Sequence, residues 1–206
     1  MTWKLTLLLT SILLLYSSSL AAELTDKAAS CNACHAAENQ QATKAPALAG
    51  QQQPYLKKQL LQFQSGERGS SAEDSTGQVM AAVAKQLTAA EVEALSRYFS
   101  ALAADRPKVE LKAEQQEPAL LDKGRRVYIG SCGACHGNKA QGNLELKAPA
   151  LTILSQDYLL LQLQHFQTGV RGSNSADKPG RQMAMMSRTL SEADKQAVVA
   201  YLMTGL

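Results

Sequence analysis

The sequence predicts an all-α protein made of two copies of one small domain. Three observations carry that expectation. The pentad Cys31-Asn32-Ala33-Cys34-His35 returns as Cys132-Gly133-Ala134-Cys135-His136. A long series of landmarks repeats in register after each pentad. Apolar residues recur at helical intervals, with no convincing alternating strand pattern beside them.

The repeat sets the domain organisation. A shift of 103 residues superposes Pro46 on Pro149, Leu48 on Leu151, Tyr55 on Tyr158 and Phe63 on Phe166. It also superposes Gly66 on Gly169, Arg68-Gly69 on Arg171-Gly172, Met80 on Met183, Leu87 on Leu190 and Tyr98 on Tyr201. The pentads align at a shift of 101, so the second copy has two extra residues between His136 and Pro149. A repeat this long is a duplicated domain and not a solenoid. The expected division is a leader over 1–21, a first domain over 22–104, a linker over 105–117 and a second domain over 118–206. The linker lies in a polar, charged stretch from Ala103 to Glu117 that includes Pro107.

Residues 1–21 read as a secretory signal peptide. Lys4 supplies a positive start, Leu5 to Tyr16 is mostly apolar, and Ser19-Leu20-Ala21 offers small residues at a cleavage site. The alternative is an uncleaved membrane anchor. Export is expected to place the mature chain outside the cytoplasm.

Local signals predict the helices. Pro54 opens a segment to Ser65 that Gly66 ends. Thr88 with Glu91 makes a capping box for a last helix to about Leu102. In the second copy Ser155 caps a helix to Thr168, ended by Gly169, and Ser191 with Asp194 opens the last helix. A helix is expected from Pro118 to Ile129, and a shorter lead-in from about Leu24 to Ser30. Residues 66–77 and 169–180 read as polar, glycine- and serine-rich loops.

Each pentad reads C-x-x-C-H, the attachment signature of a c-type haem. Two thiols reach the two vinyl groups on one porphyrin edge, and the next residue carries an imidazole under the ring. Cys31 and Cys34 are therefore expected to hold one haem, and Cys132 and Cys135 a second. His35 and His136 are the expected proximal ligands. A redox dithiol or a zinc knuckle shares C-x-x-C. The first needs no trailing histidine and belongs near a βαβ pattern, which is absent. The second would join pentads that lie 97 residues apart. Because aromatic side chains are scarce, haem is expected to supply much of each core, leaving the apo-chain unfolded.

The sixth ligands follow by elimination. One further histidine, His165, remains, and the repeat sets Gln62 at its position, so it is expected to be a surface or helix-packing residue. Met80 is the one methionine of the first domain. It lies seven residues before Leu87, as Met183 lies seven before Leu190, so the repeat selects Met80 and Met183. Met186 is the rival, Met185 is a third candidate, and all of them also suit core or loop roles.

Beyond the pentads, each copy runs through A-P-x-L at Ala45–Leu48 and Ala148–Leu151. The pattern Y-L-x-x-Q-L-x-x-F-x-x-G-x-R-G follows, at Tyr55–Gly69 and Tyr158–Gly172. A methionine and a capped final helix close each copy. The chain resembles the cytochrome c4 family over essentially all of residues 24–206. The resemblance implies two class I cytochrome c domains packed face to face, with low-spin His/Met haems and electron transfer in the periplasm. It implies that the Pro46 and Pro149 carbonyls accept hydrogen bonds from the proximal imidazoles; the alternative is that both prolines only shape a loop. Arg68 and Arg171 are candidates for pairing with haem propionates, or are simply solvated. Ala36 in place of the more usual glycine after His35, and the lack in the first lead-in of the Gly124/Tyr128 pattern, depart from the family.

Charge separates the halves. Residues 22–107 carry eight Lys/Arg against nine Asp/Glu, whereas residues 108–206 carry twelve against nine. An acidic redox partner suits the basic half. Nucleic acid is not expected, since no basic-aromatic pattern accompanies the charge. No catalytic residue is expected. The expected function is a shuttle from a cytochrome bc complex to a terminal oxidase, with possible peripheral attachment to the membrane. A fixed electron-transfer subunit of a larger dehydrogenase or oxidase is the alternative. A two-haem peroxidase is the third reading, and the paired methionines oppose it because that chemistry needs an open iron position.

Overall fold

A computed structural model of the chain describes residues 23–104 and 112–204. The expected signal peptide and linker residues 105–111 lie outside them. In the first half, α1 (23–35) runs through the first pentad. It is followed by α2 (Gln40–Thr43), α3 (Gln53–Ser65), α4 (Ser75–Ala84) and α5 (Ala89–Ala101). A 3-10 turn at Ala113–Gln115 leads into the second half. There α6 (Pro118–Ser131), α7 (Gly133–His136), α8 (Gln156–Thr168), α9 (Lys178–Arg188) and α10 (Glu192–Met203) follow in order. The one extended pairing among the described residues is an antiparallel bridge between Asn143 and Ala148, in the loop that holds the two extra residues.

The caps lie where the sequence sets them. Gly66 and Gly169 end α3 and α8 in the left-handed region, with φ of +77° and +83°. Thr88 and Ser191 form capping boxes with Glu91 and Asp194, and Ser155 accepts from the Tyr158 N–H. The expected loops are shorter than 66–77 and 169–180. Asp74 and Asp177 cap α4 and α9 by accepting from the N–H groups of Gly77 and Gly180, so each methionine stands inside a helix. Helical glycines weaken the local propensity there; the aspartate caps outweigh them, and Pro179, in the first turn of α9, suits a helix start.

The helices pack as α3 on α4 and α5 in the first half, and as α10 on α6 and α8, with α8 on α9, in the second. The first half's core falls into two separate apolar clusters. Ala28, Leu56, Leu95 and Phe99 form one, with Cys31 and Leu48 at its edge. Phe63, Ala81 and Ala84 form the other, with Leu60 and Met80 at its edge. The second half has one larger cluster, which includes Tyr128, Tyr158, Leu159, Val198 and Leu202 with Cys132 at the margin, and buried Phe166 and Ala184 lie outside it.

A buried polar clamp joins the two halves. Arg68 donates from Nη1 to Gln59 Oε1 at 2.8 Å, and from Nη2 across the interface to Tyr158 Oη and Gln162 Oε1, both at 3.1 Å. Arg171 answers from the other side. It donates to Gln162 Oε1 at 2.7 Å, Gln59 Oε1 at 2.7 Å and Tyr55 Oη at 3.3 Å. Each guanidinium also lies over a phenylalanine of its own half, Phe63 or Phe166. Arg68 is thus neither solvated nor at the surface. Gln51, fully buried, adds a two-point bond to Ala150 through its amide, at 3.0 and 2.9 Å.

The clamp obeys the repeat, whereas its flanks do not. Asp177, the cap of α9, accepts from Lys58 across the interface at 2.7 Å. Burial pushes its carboxyl up, but bonds from Lys58 and Gln62 hold it below the usual range. In the mirrored position Asp74 lies opposite His165, the counterpart of Gln62, while the counterpart of Lys58 is the uncharged Leu161. His165 is buried beneath the interface, with Nδ1 3.9 Å from Asp74 Oδ1 and no hydrogen bond. It is an interface-packing residue and not a surface one. Burial pushes this ring below its ordinary value of 6.5, Arg68 and Arg171 push the same way, and Asp74 and Glu73 oppose them.

Two outcomes are expected. Arg68→Ala strips a buried donor from two glutamine acceptors, and should cost about 1–3 kcal/mol of holoprotein stability in urea denaturation. Arg68→Lys should recover only part, because it keeps the charge but not the fork. For His165, the unfolded chain takes up its proton before the folded one as the pH falls. The ring's contribution is therefore fully present above pH 6.5 and is lost below it. His165→Gln should flatten that acid-side loss in midpoints measured from pH 7 to 5. An unchanged slope would remove His165 from the interface's pH response.

Candidate functional site

Each pentad is wound as helix, which fixes its chemistry. In α1, Cys31, Cys34 and His35 are related by three and four residues, so they share one flank. In the second half α6 ends at Cys132, and α7 restarts the helix through Cys135 to His136. All four cysteines are free thiols. Cys34 and Cys135 are exposed, whereas Cys31 and Cys132 are half-buried beside the apolar clusters. Burial pushes both half-buried thiols up, Cys132 to about 11. Neither is the low-pKa thiolate that a redox dithiol requires. Among the described residues, the pentads are not brought into one metal-binding ligand set.

The imidazoles are oriented by the main chain. His35 Nδ1 lies 2.7 Å from the Pro46 carbonyl oxygen, and His136 Nδ1 lies 2.9 Å from that of Pro149. A carbonyl only accepts, so Nδ1 carries the proton and Nε2 keeps its lone pair. Burial also pushes both rings below their ordinary range, against the pull of the carbonyl bond. Each half therefore presents a neutral, fixed imidazole with a free ring nitrogen. That is the donor an iron porphyrin takes on its proximal side.

The lead-in helices hold the pentads differently. In the second half Gly124 abuts the backbone of Ala197, where a Cβ would come within 2.0 Å of the carbonyl oxygen. Tyr128, fully buried, donates its hydroxyl to the carbonyl of Gly137, just past the pentad. Its register in the first half belongs to Lys27, which pairs with Glu91 of the α5 capping box. The first pentad is thus tied by an ion pair, and the second by a buried phenol as well as by Lys123–Asp194 at 3.0 Å.

The methionine helices share one register. Gly77, Ala81 and Ala84 are the buried stripe of α4, and Gly180, Ala184 and Ser187 are that of α9. Met80 and Met183 are both half-buried at the same place beside this stripe. Met186 is also half-buried, but its counterpart Val83 is 45 % exposed on α4. Met185 is 59 % exposed. Gly69 and Gly172 let the preceding loops close on these helices. Both have positive φ, and a Cβ on either would meet the carbonyl oxygen of Gly77 or Gly180. The split apolar clusters of the first half, with Cys31 at the edge of one and Met80 at the edge of the other, suit a flat apolar group between them.

Comparison with known proteins gives a consistent picture. The sequence profile of the cytochrome c family matches the chain twice, over residues 20–103 and 121–205. Cytochrome c4 of Azotobacter vinelandii is 29% identical over 187 residues, covering 85% of this chain and 84% of that protein. A thiosulfate dehydrogenase electron acceptor of Thiomonas intermedia is 36% identical over 183 residues, covering 85% of this chain and 78% of that protein. The crystal structure of reduced cytochrome c4 from Pseudomonas stutzeri superposes with a TM-score of 0.70 at 27% identity, covering 88% of this chain and 96% of that one.

Proposed function

Because the chain belongs to the cytochrome c4 family, and so is an electron carrier with two c-type haems, we propose that it works in the periplasm between a membrane electron donor and a terminal acceptor. The donor is read as a cytochrome bc complex and the acceptor as a terminal oxidase. Among the described residues no helix is long and apolar enough to cross a membrane.

Cys31 and Cys34 hold the first haem, and Cys132 and Cys135 the second. His35 with Met80 and His136 with Met183 are the axial pairs. The observation that carries this reading is the imidazole fixed by a proline carbonyl, present in both halves at 2.7 and 2.9 Å. When bound, each haem supplies an iron that changes between ferrous and ferric states. The chain's residues set how easily it does so. The carbonyl bond raises the basicity of the proximal nitrogen, while a thioether on the other side favours the ferrous form and a relatively high potential. Rigid helices on both sides keep the ligand set unchanged between oxidation states. The clamp fixes one half against the other, so electrons received by one half have a constant path to the other.

A second reading is a carrier dedicated to one dehydrogenase. The 36% identity to a thiosulfate dehydrogenase electron acceptor favours it. Stopped-flow reduction separates the two. A shuttle is reduced by the bc complex within its turnover time, whereas a dedicated acceptor is reduced quickly only by its dehydrogenase.

Mass spectrometry of the mature holoprotein should show two haem additions and no free thiol. One addition, or a bound zinc ion, would overturn the assignment. Met183→Ala should abolish the methionine–iron band of the second haem alone and lower its potential. Met186→Ala should leave both bands. Loss of a band in Met186→Ala would instead make Met186 the ligand.

A further inference from the structure

Five cations of the second half are engaged within the molecule. Of the rest, Lys112, Lys139 and Lys147 are scattered over other segments, whereas three share one helix face. Lys123 is tied to Asp194, Arg125 and Arg126 to Asp122, and Lys195 to Glu192. Arg171 belongs to the buried clamp. Lys178, Arg181 and Arg188 are exposed, and none has an ion-pair partner among the described residues. All three stand on α9, the helix of Met183. With Met185 they occupy positions 178, 181, 185 and 188, which fall within roughly 80° of the helix circumference.

The fold does not require this stripe. The same positions of α4, under the repeat, are Ser75, Gln78, Ala82 and Lys85, and α4 forms without the added charge. Helix stability accounts for only one of the three cations. Arg188 in the last turn complements the helix dipole, but Lys178 and Arg181 stand at the positive end of α9, where cations oppose it. Met185, 59 % exposed amid the charges, is an adaptable apolar side chain of the kind enriched at protein interfaces.

We propose that this outer face of α9 is the docking surface for an acidic face of a redox-partner protein, with Met185 as the apolar contact at its centre. The proposal rests on the two-haem carrier reading, and assigns electron exchange with that partner to the second haem. The cations steer and orient an acidic partner, and Met185 is the salt-insensitive part of the contact. The corresponding positions of the first half offer one cation, Lys85 at the C-cap of α4, so that half presents an acidic partner with far less charge.

The test uses the full holoprotein on gold electrodes coated with a carboxylate-terminated monolayer, which stands in for the acidic face. A hydroxyl-terminated monolayer is the neutral reference. Lys178→Gln/Arg181→Gln/Arg188→Gln should slow electron exchange with the carboxylate surface about tenfold or more at low ionic strength. The deficit should shrink as salt screens the charges. Lys112→Gln/Lys139→Gln/Lys147→Gln removes as much charge from elsewhere in the second half and should change the rate much less. Met185→Gln should slow exchange at low and high salt alike. Visible spectra and two unchanged haem waves on the neutral surface confirm that each variant is folded. Equal slowing in both triple variants would reduce the effect to net charge and overturn the proposal, as would an α9 variant that matches the wild type. A wild-type protein without two haem waves would instead overturn the carrier reading.

Discussion

The first half of this protein does not build a continuous apolar core from its own side chains, and that constraint shapes the rest. In the first half only four and three buried apolar residues form the two clusters. Cys31 stands at the edge of one cluster and Met80 at the edge of the other. A domain of this size, lacking disulfides, needs another apolar body to close it. The residues that would hold such a body are also those that complete the core. Binding of the cofactor and folding of the chain are then one process, as in other small proteins built around a bound group. The proline carbonyls acquire a double role on this view. They orient the imidazoles, and they tie each pentad to the loop that follows it.

The second constraint is that two such domains must behave as one body. The clamp achieves this with groups that would be costly to leave alone. A buried guanidinium without acceptors is strongly unfavourable, and each arginine here finds glutamine in both halves and tyrosine in the other. Undocking would strip both guanidinium groups of their partners in the other half together, so the clamp resists partial opening. The aromatic faces of Phe63 and Phe166 hold each fork in its plane before docking. Rigidity of this kind suits electron transfer, where a fixed separation matters more than a movable lid.

Much of this was legible in the sequence, and the failures have physical causes. The pentads, the repeat and the helix caps are local, so residues within four positions of one another announce them. The two extra residues before Pro149 were visible as a change of shift, and they correspond to the turn that the Asn143–Ala148 bridge closes. The first turns of α4 and α9 fall within the expected loops because Gly77 and Gly180 carry loop-like propensity, and because one aspartate cap is a weak signal alone. The clamp was illegible for a different reason. Arg68 follows a helix C-terminus, where an arginine is ordinarily solvated, and its partners Tyr158 and Gln162 are 90 and 94 residues away. No local pattern marks that pairing. His165 was likewise legible as a helical residue, but its burial comes from the other half's Asp74.

Duplication also explains where the two halves have diverged. A change at a clamp position must satisfy two environments at once, since Gln59 and Gln162 each serve both arginines. The clamp has therefore stayed symmetric. The positions beside it serve one half each, and there the copies differ: Lys58 and Gln62 face Asp177, whereas His165 lies opposite Asp74 and the uncharged Leu161 stands in the place of Lys58. The outer faces of α4 and α9 are constrained by no internal partner, and they differ most in charge. A carrier that must receive electrons from one protein and give them to another gains from that freedom, because two distinct surfaces on one rigid frame avoid competition between donor and acceptor.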